Sequence, residues 1–176
     1  MKKNRGVRKT GLKSEKQDKI MELIYENPNK EFTLRQIEKL TKLPKTTISE
    51  YLGKMKKIKL LDNNSIFFRI KKANYLIEKM VYSGLIDFLI KELNPSCIIV
   101  FGSVRKGEYN KESDIDLFIE TSEKKEVKLG RYEKILKHKI QLFTETNINK
   151  INSNLFNNII NGIKLYGGFK VKWLKK

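Results

Sequence analysis

The sequence is poor in the residues that staple a chain, ligate metals or span a membrane. It has one cysteine, Cys97, and one histidine, His138. A single thiol excludes an internal disulfide and any multi-cysteine zinc site, and a single imidazole leaves no partner for a histidine-based one. No apolar run approaches the roughly 18 residues of a membrane span. The basic start, MKKNRGVRKTGLKSEK, is followed by no apolar segment of the kind a signal peptide needs. Acidic residues are scarce beside basic ones: 20 Asp and Glu face 38 Lys and Arg, a formal charge of +18. The expected protein is cytoplasmic, makes no membrane contact and favours polyanions.

What is present suffices for a core. Hydrophobic residues make up 39% and aromatics 10% of 176 residues, which excludes global disorder and fits one medium or two small domains. The charge is uneven. Residues 1–75 carry 20 basic and 8 acidic side chains, a net of +12, and residues 76–176 carry 18 and 12, a net of +6.

Residues 1–13 have no hydrophobic period and read as a flexible basic arm. Ser14 and Gln17 have capping-box spacing before Ile20, Leu23 and Ile24, and Asn27-Pro28-Asn29 stops that helix. Thr33 and Gln36 form a second capping box, with Ile37 and Leu40 as the apolar stripe. Leu43-Pro44 breaks the chain, and a third helix from Lys45 carries Ile48, Leu52 and Met55 on one face. The run LLDNNSIFFRI then reads as two short β-like pieces around Asn63-Asn64, a hairpin signal.

The stretch TLRQIEKLTKLPKTTISEYLGKMKKIKLL resembles the second and third helices of winged helix-turn-helix domains and the lead-in to the wing. That resemblance assigns residues 14–72 to a domain binding double-stranded DNA, with the third helix in the major groove. Lys45, Thr46, Thr47, Ser49 and Glu50 are then candidates for base edges, and Lys54, Lys56 and Lys57 for phosphates. Glu50 stands where related helices often carry a basic residue; a carboxylate there repels phosphate or accepts from cytosine N4. The same resemblance makes a homodimer possible. Residues 73–95 read as a connecting helical segment divided at Gly84 and ended by Asn94-Pro95.

The stretch SCIIVFGSVRKGEYNKESDIDLFIE carries the chemistry. Cys97 to Phe101 is a continuous apolar run, a buried strand that ends in Gly102-Ser103. Ten residues, 104–113, mostly polar and including Gly107, precede a second strand beginning Asp114-Ile115-Asp116. Side chains alternate along a strand, so Asp114 and Asp116 share a face and repel each other unless a cation lies between them. Carboxylate pairs are hard oxygen donors that suit Mg²⁺ or Mn²⁺. A glycine that admits close backbone approach, followed by a serine at a helix start, suits a phosphate.

This constellation resembles the DNA polymerase β-like nucleotidyltransferase superfamily, whose signature is hydrophobic-G-S, about ten residues, then D-x-D. FGSVRKG and SDIDL match its minimal prokaryotic members more closely, over residues 96–167. Together with the N-terminal pattern, the chain resembles archaeal two-domain proteins. The expected fold is α+β: a winged helix-turn-helix, then at residues 96–176 a small nucleotidyltransferase domain with a mixed sheet and flanking helices. The resemblance implies transfer of a nucleoside monophosphate from an NTP, expected to be ATP, to a protein, RNA or small-molecule hydroxyl. Gly102 and Ser103 would hold the nucleotide, and Asp114 and Asp116 would be the catalytic metal ligands. A HEPN-type toxin is one acceptor the resemblance offers.

Downstream, a helix carries Val127, Tyr132, Ile135 and Leu136, HKIQLFTET reads as a third strand, and residues 151–162 form a further helix. Active superfamily members carry a third carboxylate on the third strand. The aligned position is Gln141, an amide that is neutral and cannot act as a base. Glu145 shares its face but lies about 13 Å further along. The alternative function is therefore a DNA-binding regulator or antitoxin-like protein whose degenerate transferase domain binds a nucleotide or partner without turnover. Cys97 reads as an inert core thiol and His138 as a capping or surface residue.

Overall fold

The computed structural model describes residues 11–58 and 61–172, with side chains from residue 15 onward. The chain divides into two compact units, residues 1–63 and 64–176.

The first unit is built from three helices: α1 (Gly11–Glu26), α2 (Leu34–Thr41) and α3 (Lys45–Lys57). Helix α1 begins at Gly11, so Ser14 lies inside it rather than capping it, and residues 11–13 are helical; the rest of the expected arm lies outside the described residues. The Thr33 capping box forms as expected. Gln36 N donates to Thr33 Oγ1 at 3.3 Å, and Thr33 N donates to Gln36 Oε1 at 2.9 Å. Ile20, Met21, Tyr25, Ile37, Leu43, Ile48 and Met55 make the small core, whereas Leu40 points to solvent. Lys42, in the left-handed region, and Pro44 make the tight turn between α2 and α3.

Among the described residues this unit has no strand. Of the expected hairpin, residues 61–65 form turns and residues 66–70 open α4 (Ile66–Tyr82), while Leu60 lies outside the described residues. The cause is local. Ser65 accepts from Phe68 N at 3.1 Å, an N-cap. Phe68, Lys72, Leu76 and Met80, four residues apart, form one buried helical stripe. Helix α4 falls in the second unit, which begins at residue 64. Gly84 does divide residues 73–95, before α5 (Leu85–Leu93).

The second unit is α+β. Strands β1 (Cys97–Val100), β2 (Ile115–Glu120), β3 (Ile140–Glu145) and β4 (Ile163–Gly167) form one mixed sheet in the order β3-β2-β1-β4. β1 pairs antiparallel with both β2 and β4, and β2 pairs parallel with β3. On one face Cys97, Ile99, Phe101 and Phe118 pack with Ile148 of a short 3₁₀ turn (Ile148–Lys150) and Ile159 of α8 (Ser153–Ile160). Alternation sends Ile98, Val100, Leu117 and Ile119 to the other face, where all four are buried. Two further helices of this unit are α6 (Gly102–Lys106) and α7 (Gly130–Leu136). Buried Glu120 ties the layers: it accepts from Ser96 Oγ at 2.7 Å and from Ile148 N at 2.8 Å.

Candidate functional site

The site grows from the end of β1. Phe101 N donates to Asp116 O at 3.1 Å, continuing the β1–β2 ladder by one bond. The chain then turns at Gly102, φ +67°, into the five-residue helix α6. A side chain is strained at that φ, and a Cβ there would come within 2.1 Å of Asp116 Oδ2. Glycine is required because the Asp116 carboxylate occupies the space above it. Ser103, the next residue, is half-buried. β2 starts one residue later than the sequence suggests, so Asp114 precedes the strand and is exposed, whereas Asp116 lies on it, half-buried.

Burial, and then the charge of Asp114, push the Asp116 carboxyl above the ordinary carboxylate range. Desolvation and a like charge both disfavour its ionised form. A cation shared with Asp114 relieves both effects, so this donor set fits a hard divalent ion: two carboxylates beside a turn that excludes side chains. Among the described residues no group of three or more His, Cys, Asp or Glu is placed to hold a metal ion.

The parallel register places Gln141 directly beside Asp116. Neighbouring strands in register send opposed side chains to the same face, so the amide, which is exposed, shares a face with Asp116. Glu145 is paired with Glu120 at the far end of the strand. Its carboxylate accepts from Thr146 N at 2.7 Å and from Thr146 Oγ1 at 3.1 Å, bonds that lower its pKa. It does not reach Asp116's end of the sheet.

Sequence reasoning did not register how the spacer is held. Gly107, also at φ +67°, lies so close to α4 that a Cβ would come within 2.1 Å of Arg69 O. Tyr109 is fully buried, and so is Lys72 of α4, whose ammonium donates to the Tyr109 carbonyl. His138, expected as a capping or surface residue, is 4% exposed. The signal was available in principle: a tyrosine inside a polar spacer and a lysine on a helical apolar stripe.

Residues 83–164 match the family model for the nucleotidyltransferase domain. The matched segment contains β1, the Gly102 turn, Asp114, Asp116 and β3, and it supports nucleotidyl transfer as the general chemistry of this unit. No curated protein and no solved structure matches the chain.

The expected DNA-contacting residues lie on α3. Lys45, Thr46, Ser49, Glu50, Lys54, Lys56 and Lys57 are exposed, and Thr47 is half-buried. Two of the cations are engaged locally. Lys54 pairs with Glu50 at 2.5 Å, and Lys45 reaches Glu38 at 3.5 Å. Glu50 therefore has a cation within its own helix, one turn away. No helix among the described residues is long and apolar enough to cross a membrane. A cavity of about 460 Å³ opens beside β3 and the start of α8, with Phe118, Phe143 and Leu155 in its wall; it includes none of Gly102, Ser103, Asp114 or Asp116.

Proposed function

We propose that the second unit transfers a nucleoside monophosphate from an NTP, ATP in the first instance, to a hydroxyl, with Mg²⁺ or Mn²⁺ held by Asp114 and Asp116. The observation that carries this reading is the Asp116 carboxylate lying over Gly102, with the charge of Asp114 acting on it. An ion held there would supply positive charge against the charge that builds on the phosphates and the departing pyrophosphate. Gly102 and Ser103 open α6, and the first-turn N–H groups of a helix have no acceptor within it; they would hold phosphate oxygens. The acceptor oxygen would bond to the α-phosphorus as the bond to pyrophosphate breaks. The acceptor is a protein, a HEPN-type toxin included, an RNA or a small molecule.

The hydroxyl proton must leave, and Gln141 cannot take it. That amide, in register with Asp116, favours a second reading in which the site binds metal and nucleotide without turnover and serves a DNA-binding regulator. In either reading the first unit binds duplex DNA through α3, supported by its exposed Lys54, Lys56 and Lys57.

α-Labelled ATP added to the full chain and a cell lysate, with Mg²⁺ and separately with Mn²⁺, separates the readings. Label carried onto an acceptor by the wild type and not by Asp116→Asn supports transfer. ATP bound but never transferred supports the sensor.

A further inference from the structure

Asp114 is bracketed by residues 138 and 139. On one side, His138 Nδ1 lies 2.8 Å from Ser113 O. A carbonyl only accepts, so Nδ1 carries the proton. On the other side, Ile115 N donates to Lys139 O at 2.8 Å, the first bond of the β2–β3 ladder. The imidazole thus prolongs that ladder by one bond, past the point where β3 can supply backbone.

The turn that delivers Asp114 is closed on itself. Ser113 N donates to Asn110 O at 3.0 Å, Asn110 N to Ser113 Oγ at 3.0 Å, and Glu112 N to Asn110 Oδ1 at 2.8 Å. Such a turn moves as one body unless something outside holds it. The ring of Tyr109 meets the His138 ring edge-on at 5.7 Å. Tyr109 Oη donates to Lys72 O at 3.1 Å, and the Lys72 ammonium, besides bonding the Tyr109 carbonyl, lies 4.5 Å from the centre of its ring. A chain of buried contacts therefore runs from α4 through Lys72, Tyr109 and His138 to the residue before Asp114.

We propose that His138, backed by Tyr109 and Lys72, is a positioning residue that aims Asp114 at the cation it shares with Asp116. The inference rests on the metal–nucleotide reading above. Groups that orient a metal ligand typically cost 10- to 100-fold in metal affinity when removed, and their effect vanishes once the ligand itself is gone.

The test is a cycle on the full chain, read by calorimetric titration with Mn²⁺–ATP and by thermal unfolding. His138→Ala should weaken binding about tenfold. Asp114→Asn with His138→Ala should be no weaker than Asp114→Asn alone. His138→Asn, whose amide nitrogen falls near the lost Nδ1, should recover most of the affinity. His138→Gln, whose donor falls near Nε2 instead, should not. If His138→Ala does not fold, the Asn and Gln variants decide the matter. Losses that add, or full affinity in the His138→Gln variant, overturn the positioning role. Undiminished binding in Asp114→Asn overturns the metal-site reading on which it rests.

Discussion

Asp116 is held where its own charge is unwelcome, and the consequence is measurable. Its carboxyl titrates above the ordinary value of 3.8 in the folded chain, so between the two values the native state binds more protons than the unfolded one. Stability of the metal-free protein therefore falls as pH rises through that window and stays reduced above it. Asp116→Asn removes the penalty. The metal-free variant should unfold at a higher temperature than the wild type at neutral pH, and the advantage should disappear below pH 3.8. Thermal unfolding in EDTA across that range checks it. An advantage that is constant with pH would mean the carboxylate is not strained. Gln141 supports the opposite kind of claim, a gain. Gln141→Asp puts a carboxylate in register with Asp116 and, if the missing base limits the chemistry, should raise transfer from α-labelled ATP by roughly 10²–10⁴-fold. No gain in a protein that already turns over would assign the base to another group.

Elements were legible in the sequence where a few adjacent residues decide them. Thr33 and Gln36 cap α2 through bonds spanning three residues. The Gly102 turn and the Asp114–Asp116 pair lie within a span whose chemistry is self-contained. Helix α4 was not legible. Asn63-Asn64 carries a hairpin signal, and Lys72 interrupts the apolar stripe; its bond to the distant Tyr109 helps make a buried lysine tolerable there. The same partnership hid His138. Leu40 has the spacing of a core residue but is exposed, while Ile37, one turn earlier on α2, is buried. The contact of Gly107 with α4 yields an element-scale prediction. Gly107→Ala forces a side chain to a left-handed φ against Arg69 O, and should destabilise the protein by about 1–3 kcal/mol in denaturant unfolding. On α3, Lys56→Ala with Lys57→Ala should weaken all duplex sequences alike. It should also flatten the dependence of log affinity on log salt by up to about two units. Thr47→Ala and Ser49→Ala should leave that slope alone and narrow the gap between preferred and random DNA. Titrations of the full chain at several salt concentrations distinguish the two.

At the scale of the whole molecule, a basic unit with three described helices precedes a sheet unit in which the Asp116 carboxylate lies over a glycine turn, and the proposed function gives each unit its own chemistry. The Lys56–Lys57 variant should therefore keep nucleotide binding, and the carboxylate variants should keep DNA binding. Under the proposed function, Asp114 and Asp116 together make a metal–nucleotide site. Calorimetric titration of ATP into the full chain, with Mg²⁺ and with EDTA, tests it most directly when repeated on Asp114→Asn with Asp116→Asn. Mg²⁺-dependent binding is expected in the wild type and none in the double variant, which should still unfold cooperatively. Undiminished Mg²⁺-dependent binding in a folded double variant would contradict it.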